Sequence, residues 1–221
     1  LFCDNNDFDI KKIITNINNT EVTTMTDVNK DNVQSVLRKL SLQFSEYNDI
    51  ENENQDDIKD ITQVTEFSNL TENEKLYLIS YKQQNGETFL HKAFSDSEEK
   101  VKNIANTLGD KFKEVLEVQN DSGNTAVDGI DNKEDLAKIL NNVTNEQKKI
   151  ILATQGYEKQ TLLHVLAENI EVNAEFVRYI FEEANKLKNL AELLKIKNDN
   201  ADSPVHLAIQ EGNANNTFIT E

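Results

Sequence analysis

Apolar residues recur in the same order four times between residues 78 and 208. Each copy begins with two adjacent aliphatic residues, which are Leu78 and Ile79, Val115 and Leu116, Ile151 and Leu152, and Leu193 and Leu194. Each copy also has two apolar positions three residues apart, occupied by Leu90 and Ala93, Val127 and Ile130, Leu163 and Leu166, and Val205 and Ala208. Such a spacing places two side chains on one face of an α-helix. The pattern therefore predicts a series of short helices that pack against one another.

A hydroxyl residue stands at the start of each of these predicted helices. The starts are Thr88, Thr125, Thr161 and Ser203, separated by 37, 36 and 42 residues. Ser and Thr side chains accept hydrogen bonds from the free amides of a helix N-terminus, and Pro204 suits the first helical position. Segments rich in Asn, Asp and Gly precede the starts and predict tight turns at 84–87, 120–124, 156–160 and 198–202.

Two further helix starts, Thr71 and Thr144, lie 73 residues apart. Each is followed three residues later by Glu74 or Gln147, which predicts a capping box. Longer helices are predicted where apolar residues recur at helical spacing, at Val101, Ile104 and Leu108, at Leu136, Ile139, Leu140 and Val143, and at Phe176, Val177, Ile180 and Phe181.

The three histidines of the chain, His91, His164 and His206, all stand three residues after a helix start, and Asp128 occupies that position in the remaining copy. The segment from Ser203 to Ala208 resembles the T-P-L-H-x-A signature of the ankyrin repeat, a unit of about 33 residues with a β-turn and two helices. The resemblance implies a structural role for the histidines, which in this family hydrogen-bond to the hairpin backbone and tie adjacent repeats together.

The resemblance implies an all-α fold, an ankyrin-repeat-like solenoid of stacked antiparallel helix pairs joined by hairpin loops, over residues 70–221. The copies are longer than the family's unit, and Pro is absent from three of the four starts. We expect the extra residues, for example at 108–110 and 186–188, to lengthen the outer helix or to add a helical turn. The array is expected to end after an inner helix, leaving Val205 and Ile209 uncovered unless further repeats or a cap follow.

Residues 1–69 do not follow the repeat. Val33, Leu37, Leu40, Phe44 and Tyr47 are spaced as on one helix face, which predicts a helix over residues 27–47. An acidic, Asn-rich stretch over residues 48–60 predicts a linker. We interpret this region as a helical cap or an eroded repeat that shields the first repeat; a separate small functional domain is the alternative.

The formal net charge of -17, from 40 acidic and 23 basic residues, argues against nucleic acid or an anionic membrane as a partner. It favours a protein partner with a basic surface, although solubility alone also accounts for it. A single cysteine, Cys3, allows no internal disulfide and favours an intracellular, cytoplasmic protein. By analogy, the resemblance extends to ankyrin proteins that intracellular bacteria deliver into host cells.

The sequence contains no recognisable catalytic motif. A phosphate-binding glycine loop, a nucleophile elbow and a His-Glu-x-x-His helix are all absent, so we expect no enzyme activity, cofactor or metal. The predicted function is that of a protein-protein interaction scaffold. The alternative is a fragment of an enzyme or toxin whose catalytic part lies outside this sequence or in residues 1–70.

Ankyrin proteins bind through hairpin tips and the exposed face of the inner helices, and the resemblance carries this surface over position by position. We call it the hairpin surface. Its tip residues are Gln84, Asn85, Glu87, Asp121, Ser122, Asn124, Tyr157, Glu158, Gln160, Asp199, Asn200 and Asp202, and its helix residues are Ser95, Asp96, Glu168 and Glu211. We expect it to be acidic, without Lys or Arg, with Tyr157 as the aromatic anchor.

Overall fold

The computed structural model describes residues 29, 31–33, 35–36, 60–63, 65–82, 85–168 and 174–210. Within these ranges every regular element is a helix and no strand is present, which confirms the all-α prediction. Residues 31–33 and 35–36 are helical, and Val33 and Val36 are fully buried. The rest of the helix predicted over residues 27–47, the linker at 48–60, Gln84 and Glu211 lie outside the described residues.

The helices are short and follow one another across tight turns. The α-helices are α1 (Thr65–Ser68), α2 (Glu72–Ser80), α3 (Phe89–Asp96), α4 (Glu98–Leu108), α5 (Phe112–Leu116), α6 (Lys133–Asn141), α7 (Asn145–Ala153), α8 (Leu162–Glu168), α9 (Ala174–Lys186), α10 (Leu190–Leu193) and α11 (Pro204–Gln210). The 3₁₀ helices are η1 (Ile61–Gln63), η2 (Gly109–Lys111), η3 (Ala126–Gly129) and η4 (Tyr157–Lys159).

Both predicted capping boxes are formed. The Thr71 amide donates to the Glu74 carboxylate at 2.8 Å, and the Glu74 amide donates to the Thr71 hydroxyl at 3.3 Å. Thr144 and Gln147 form the same pair of bonds, at 2.9 and 3.3 Å. These bonds satisfy amides that a helix N-terminus leaves free, and they fix the beginnings of α2 and α7.

Each copy of the sequence pattern forms three elements rather than the expected pair. An inner helix is followed by a longer second helix and then by a third one, giving the series α3, α4, α5; η3, α6, α7; and α8, α9, α10. The third helix is short in the first and last copies, whereas α6 and α7 both have nine residues. The prediction that residues 108–110 lengthen the outer helix or add a helical turn is confirmed in its second form, because η2 (Gly109–Lys111) adds one turn of 3₁₀ helix after α4. Gly109 ends α4 with φ at 51°, and the fully buried Phe112 anchors the separate helix α5.

The aliphatic pairs lie in these short helices and belong to the core. Leu78, Ile79, Leu116 and Ile151 have no exposed surface. The apolar positions of the inner helices are also buried, with the exception of Val205, which is 37% exposed, and Ile209 beside it on α11 is 59% exposed. Burial of these repeated apolar positions is the main source of stability for such small helices.

The predicted turns share one backbone feature. The residue two positions before each helix start has a positive φ, and these residues are Gly86, Gly123, Lys159 and Ala201. A Cβ atom on Gly86 would stand 2.4 Å from the Asp121 amide nitrogen, so this position requires glycine. The four turns share this left-handed residue, and the third turn differs in that Glu158 also has a positive φ.

Candidate functional site

The tips of the hairpin surface are held by local hydrogen bonds. The amide of Asn120 donates to the Asn124 carbonyl at 2.8 Å, and the side-chain oxygen of Asn120 accepts from the amides of Ser122 and Asn124 at 3.0 Å each. Asn198 makes the same three kinds of bond within the last turn. In the third turn the Gly156 amide donates to the Gln160 carbonyl at 2.8 Å. Asn at the first position of a turn suits this arrangement because its side chain caps the turn's own amides.

Two histidines link one turn to the next. The Thr88 amide donates to Nδ1 of His91 at 3.2 Å, and Nε2 of His91 lies 3.0 Å from the Asn124 carbonyl oxygen. An amide can only donate, so Nδ1 accepts and the imidazole proton is on Nε2, where it donates to the carbonyl.

His164 repeats this geometry with Thr161 at 3.1 Å and the Asp202 carbonyl at 3.2 Å. Its side chain is fully buried. Burial lowers the pKa of His164, although the hydrogen bond to Asp202 opposes the shift. A neutral imidazole is therefore the form that fits the site.

Asp128 forms the hydrogen bonds to the residue at its helix start, as the histidines do, but not the hydrogen bond to the following turn. Its carboxylate accepts hydrogen bonds from the amide and the hydroxyl of Thr125, as the histidine Nδ1 atoms do in their own turns. It packs closely against Gly156, where a Cβ atom would overlap it. Burial raises the pKa of Asp128, and the bonds from Thr125 oppose this. An ionised carboxylate cannot donate to the following turn.

His206 is placed like the other histidines but differs at its outer nitrogen. Its Nδ1 lies 3.1 Å from the Ser203 hydroxyl, and its own amide donates to that hydroxyl at 3.3 Å. The side chain is exposed, and within the described residues its Nε2 has no hydrogen-bond partner. His206 therefore shows the capping half of the arrangement without the link between turns.

Most residues of the hairpin surface are exposed, as a binding surface requires. The exposed members are Asn85, Asp121, Ser122, Asn124, Tyr157, Glu158, Asp199, Asn200, Ser95, Asp96 and Glu168, whereas Glu87, Gln160 and Asp202 are half-buried. Tyr157 is 55% exposed, and one edge of its ring faces Gly123, where a Cβ atom would lie 2.9 Å from the ring. This contact holds the tyrosine against the preceding turn.

Two lysines that are not themselves members of the hairpin surface pair with its carboxylates. Lys92 lies 3.0 Å from the Glu87 carboxylate and Lys159 lies 2.7 Å from that of Asp199. Lys159 lies between Glu158 and Gln160 in the sequence, whereas Lys92 follows His91 on the inner helix. The ion pairs that the two lysines form depend on the fold. For Glu87, burial would raise the pKa, yet its hydrogen bond to Lys92 contributes to a net lowering.

The carboxylates without a lysine partner are concentrated around the second and third turns. Asp121, Glu158 and Glu168 form no ion pair within the described residues, and Gln160 donates to Glu168 at 2.7 Å. Val165, on the same helix as Glu168, is 42% exposed. The third turn and the helix that follows it therefore carry two of these carboxylates, Glu158 and Glu168, together with the exposed apolar side chains of Tyr157 and Val165.

Comparison with other proteins gives no relative from which a role could be transferred. No protein-family model matches the chain, and no curated protein or solved structure matches it. Of the helices in the described ranges, none is long and apolar enough to cross a membrane. Over the same ranges, no three His, Cys, Asp or Glu side chains are grouped so that they could hold a metal ion.

Proposed function

We propose that the chain is a protein-binding scaffold of the ankyrin-repeat type, in which the hairpin surface binds a partner protein with a basic surface. The observation that carries the proposal is the common geometry of the four turns. Each has the same left-handed residue two positions before its helix start, and His91 and His164 link turn to turn through backbone carbonyls. Such links match the structural role that the ankyrin resemblance gives these histidines.

The third turn supplies the centre of the proposed interface. Tyr157 is large, exposed and fixed against Gly123, so little side-chain entropy would be lost when it is buried by a partner. Glu158 and Glu168 are exposed beside it without ion pairs in the described part of the chain. Unpaired surface carboxylates attract a basic partner over several ångströms and increase its rate of association.

The paired carboxylates contribute less to this proposal. Lys92 and Lys159 already neutralise Glu87 and Asp199 at the first and last turns. The Lys159–Asp199 pair is exposed, and exposed ion pairs contribute little to stability, so a strongly basic partner could displace this lysine. The Lys92–Glu87 pair is half-buried. We therefore expect the contribution of the surface carboxylates to binding to be largest at the third turn.

The experiment is a selection of displayed random peptides on the purified chain, followed by affinity measurements with synthetic versions of the selected peptides. We expect the selected peptides to be enriched in Lys and Arg. Their affinity should fall when the salt concentration rises by about tenfold, because the charges are screened.

The variant Tyr157→Ala with Glu158→Lys tests the site itself, and we expect it to weaken binding by about tenfold or more. The control is Glu114→Lys on α5, which makes the same charge change at an exposed residue outside the hairpin surface. Equal losses in both variants, with helix content unchanged by circular dichroism, would show that net charge rather than the hairpin surface determines binding.

A further inference from the structure

The three junctions between successive turns are not equivalent. The first joins the turns at 85–87 and 120–124, the second joins 120–124 and 156–160, and the third joins 156–160 and 198–202. At the first junction the Asp121 amide donates to the Asn85 carbonyl at 3.2 Å, and at the third the Asp199 amide donates to the Glu158 carbonyl at 3.0 Å. Among the described residues, no backbone hydrogen bond crosses the second junction.

The side-chain links show the same difference. His91 crosses the first junction and His164 crosses the third, each by donating to a backbone carbonyl. The equivalent residue at the second junction is Asp128, which bonds only within its own turn. The second junction is crossed instead by the Gln119 amide, which donates to the Gly156 carbonyl at 2.9 Å.

This glutamine bond does not compensate for the missing links. The third junction has a bond of the same kind, from Gln155 to the Lys197 carbonyl at 2.9 Å. There it adds to the histidine link, the backbone bond and the Lys159–Asp199 ion pair. The second junction thus has one of the four kinds of link that hold the third.

Neighbouring inner helices also pack least extensively against each other at the second junction. Inner helix α3 packs extensively against η3, and α8 packs extensively against α11, whereas η3 and α8 meet in few places. Length alone does not explain the difference: η3 is a single turn of 3₁₀ helix that ends at Gly129, yet it packs extensively against the eight-residue α3 and not against the seven-residue α8.

The outer side of the molecule shows no such gap. The longer helices α4 and α6 pack together across the first junction, and α6 and α9 pack together across the second. Helix α7 also packs against α9. Helix packing is therefore continuous on one side of the second junction and interrupted on the side of the turns.

We infer that the second junction is a hinge, at which the part of the molecule up to α7 and the part from η4 onward open on the side of the turns. The packed helices α6, α7 and α9 form the axis, and the interactions that opening breaks are the Gln119 bond, the Tyr157 contact with Gly123 and the packing of Asp128 against Gly156. Regions held by few buried contacts and hydrogen bonds open at lower free energy than the rest of a protein. This inference does not depend on the proposed function, although opening would change the distance between Asp121 and Glu158 on the hairpin surface.

Distance measurements between pairs of nitroxide labels test the hinge on the full chain. Cys3 is first replaced by Ser, because it is the only cysteine of the chain. Pairs of cysteines are then introduced at the turn tips, at Asn85 and Ser122 for the first junction, Ser122 and Glu158 for the second, and Glu158 and Asn200 for the third. These positions are exposed, so the labels do not disturb the core.

We expect the distance distribution across the second junction to be wider than the other two by about twofold or more, as local opening there requires. Asp128→His should narrow the distance distribution across the second junction, because the histidine supplies a donor for the Gln160 carbonyl. His164→Asp should widen the distance distribution across the third junction. Three equally narrow distributions in the otherwise unchanged chain would overturn the inference. So would a second-junction distribution that Asp128→His leaves unchanged while circular dichroism shows the variant to be folded.

Discussion

Helices α2 and α7 begin in the same way but are held to the rest of the molecule by opposite chemistry. Glu74 and Gln147 occupy equivalent positions in the two capping boxes and are 2% and 7% exposed. Glu74 accepts hydrogen bonds from the Asn29 amide at 3.2 Å and from the Asn32 side chain at 3.0 Å. Gln147 instead donates from its side chain to the Ala105 carbonyl at 2.9 Å.

The neighbouring helix explains the difference. Glu74 faces the start of the helical segment at residues 31–33 and 35–36, where Asn29 accepts from the Asp31 amide as a cap. Helix starts present amide donors and a partial positive charge, which suit a carboxylate. Gln147 faces the last turn of α4, where carbonyl groups are presented and a donor is needed. One position in a repeat thus takes an acid or an amide according to the helix end that it meets.

The largest effect is expected for Gln147→Glu. The buried carboxylate would face the Ala105 carbonyl with no donor between them, so we expect the free energy of unfolding to fall by about 3 kcal/mol. Urea denaturation measures the change. Gln147→Met is the matched control, because it removes the hydrogen bond without introducing a charge and the Ala105 carbonyl still accepts from the Gly109 amide. A loss no larger than that of the control would contradict the comparison.

His91 and His164 meet the same kind of neighbour, so the same substitution at the two positions should lower the free energy of unfolding by the same amount. His91 and His164 each link a Thr residue to the carbonyl of the next turn. We expect His91→Ala and His164→Ala each to lower the free energy of unfolding by about 1–3 kcal/mol, because each leaves buried partners unsatisfied. Thermal and urea denaturation of the two variants under identical conditions give the comparison. If the two decreases in the free energy of unfolding differ as much as those of Glu74→Gln and Gln147→Glu, a shared kind of hydrogen-bond partner does not determine the decrease.

A smaller loss is expected for Glu74→Gln. The amide oxygen can replace only one of the two carboxylate oxygens, so the bonds to the other and the charge assistance are lost, and we expect a decrease of about 1–2 kcal/mol in the free energy of unfolding. The readout that locates the effect is a double-mutant cycle with Asn32→Ala. If the losses of the two single variants simply add, Glu74 and Asn32 are not coupled as their 3.0 Å hydrogen bond implies.

The smallest effect concerns pH. Burial would raise the pKa of Glu74, but the hydrogen bonds from Thr71, Asn32 and Asn29 outweigh it and lower the pKa below the ordinary value of 4.5. The stabilisation is therefore present above the unfolded-state pKa and is lost as pH falls through the lower folded-state value. Unfolding measured from pH 6 to pH 3, about the span of carboxyl titration, should show a weaker decline in Glu74→Gln than in the unchanged chain. If the free energy of unfolding declines equally in both proteins as the pH falls, Glu74 is not the source of this pH dependence.

Much of the local structure followed from the sequence. The capping boxes at Thr71 and Thr144, the turns before each helix start and the burial of the aliphatic pairs were all predicted from short-range patterns. These features depend on a residue's own backbone preferences or on partners three or four positions away. The separate helix α5 was missed because Gly109 and Phe112 carry no distinct signal until the burial of Phe112 is known, whereas α7 was predicted from the capping box at Thr144.

The sequence by itself determined where helices start, where the chain turns and which positions are apolar, since these depend on local hydrogen bonding and on helical spacing. Only the tertiary structure decided what each polar side chain meets. It placed Lys92 and Lys159 beside carboxylates of the hairpin surface, gave Glu74 donors and Gln147 an acceptor, and left Asp128 without a link to the next turn. The physical reason is that hydrogen bonds and ion pairs act over a few ångströms, and folding brings the partners together from positions that can be some 40 residues apart in the chain, as for Asn32 and Glu74.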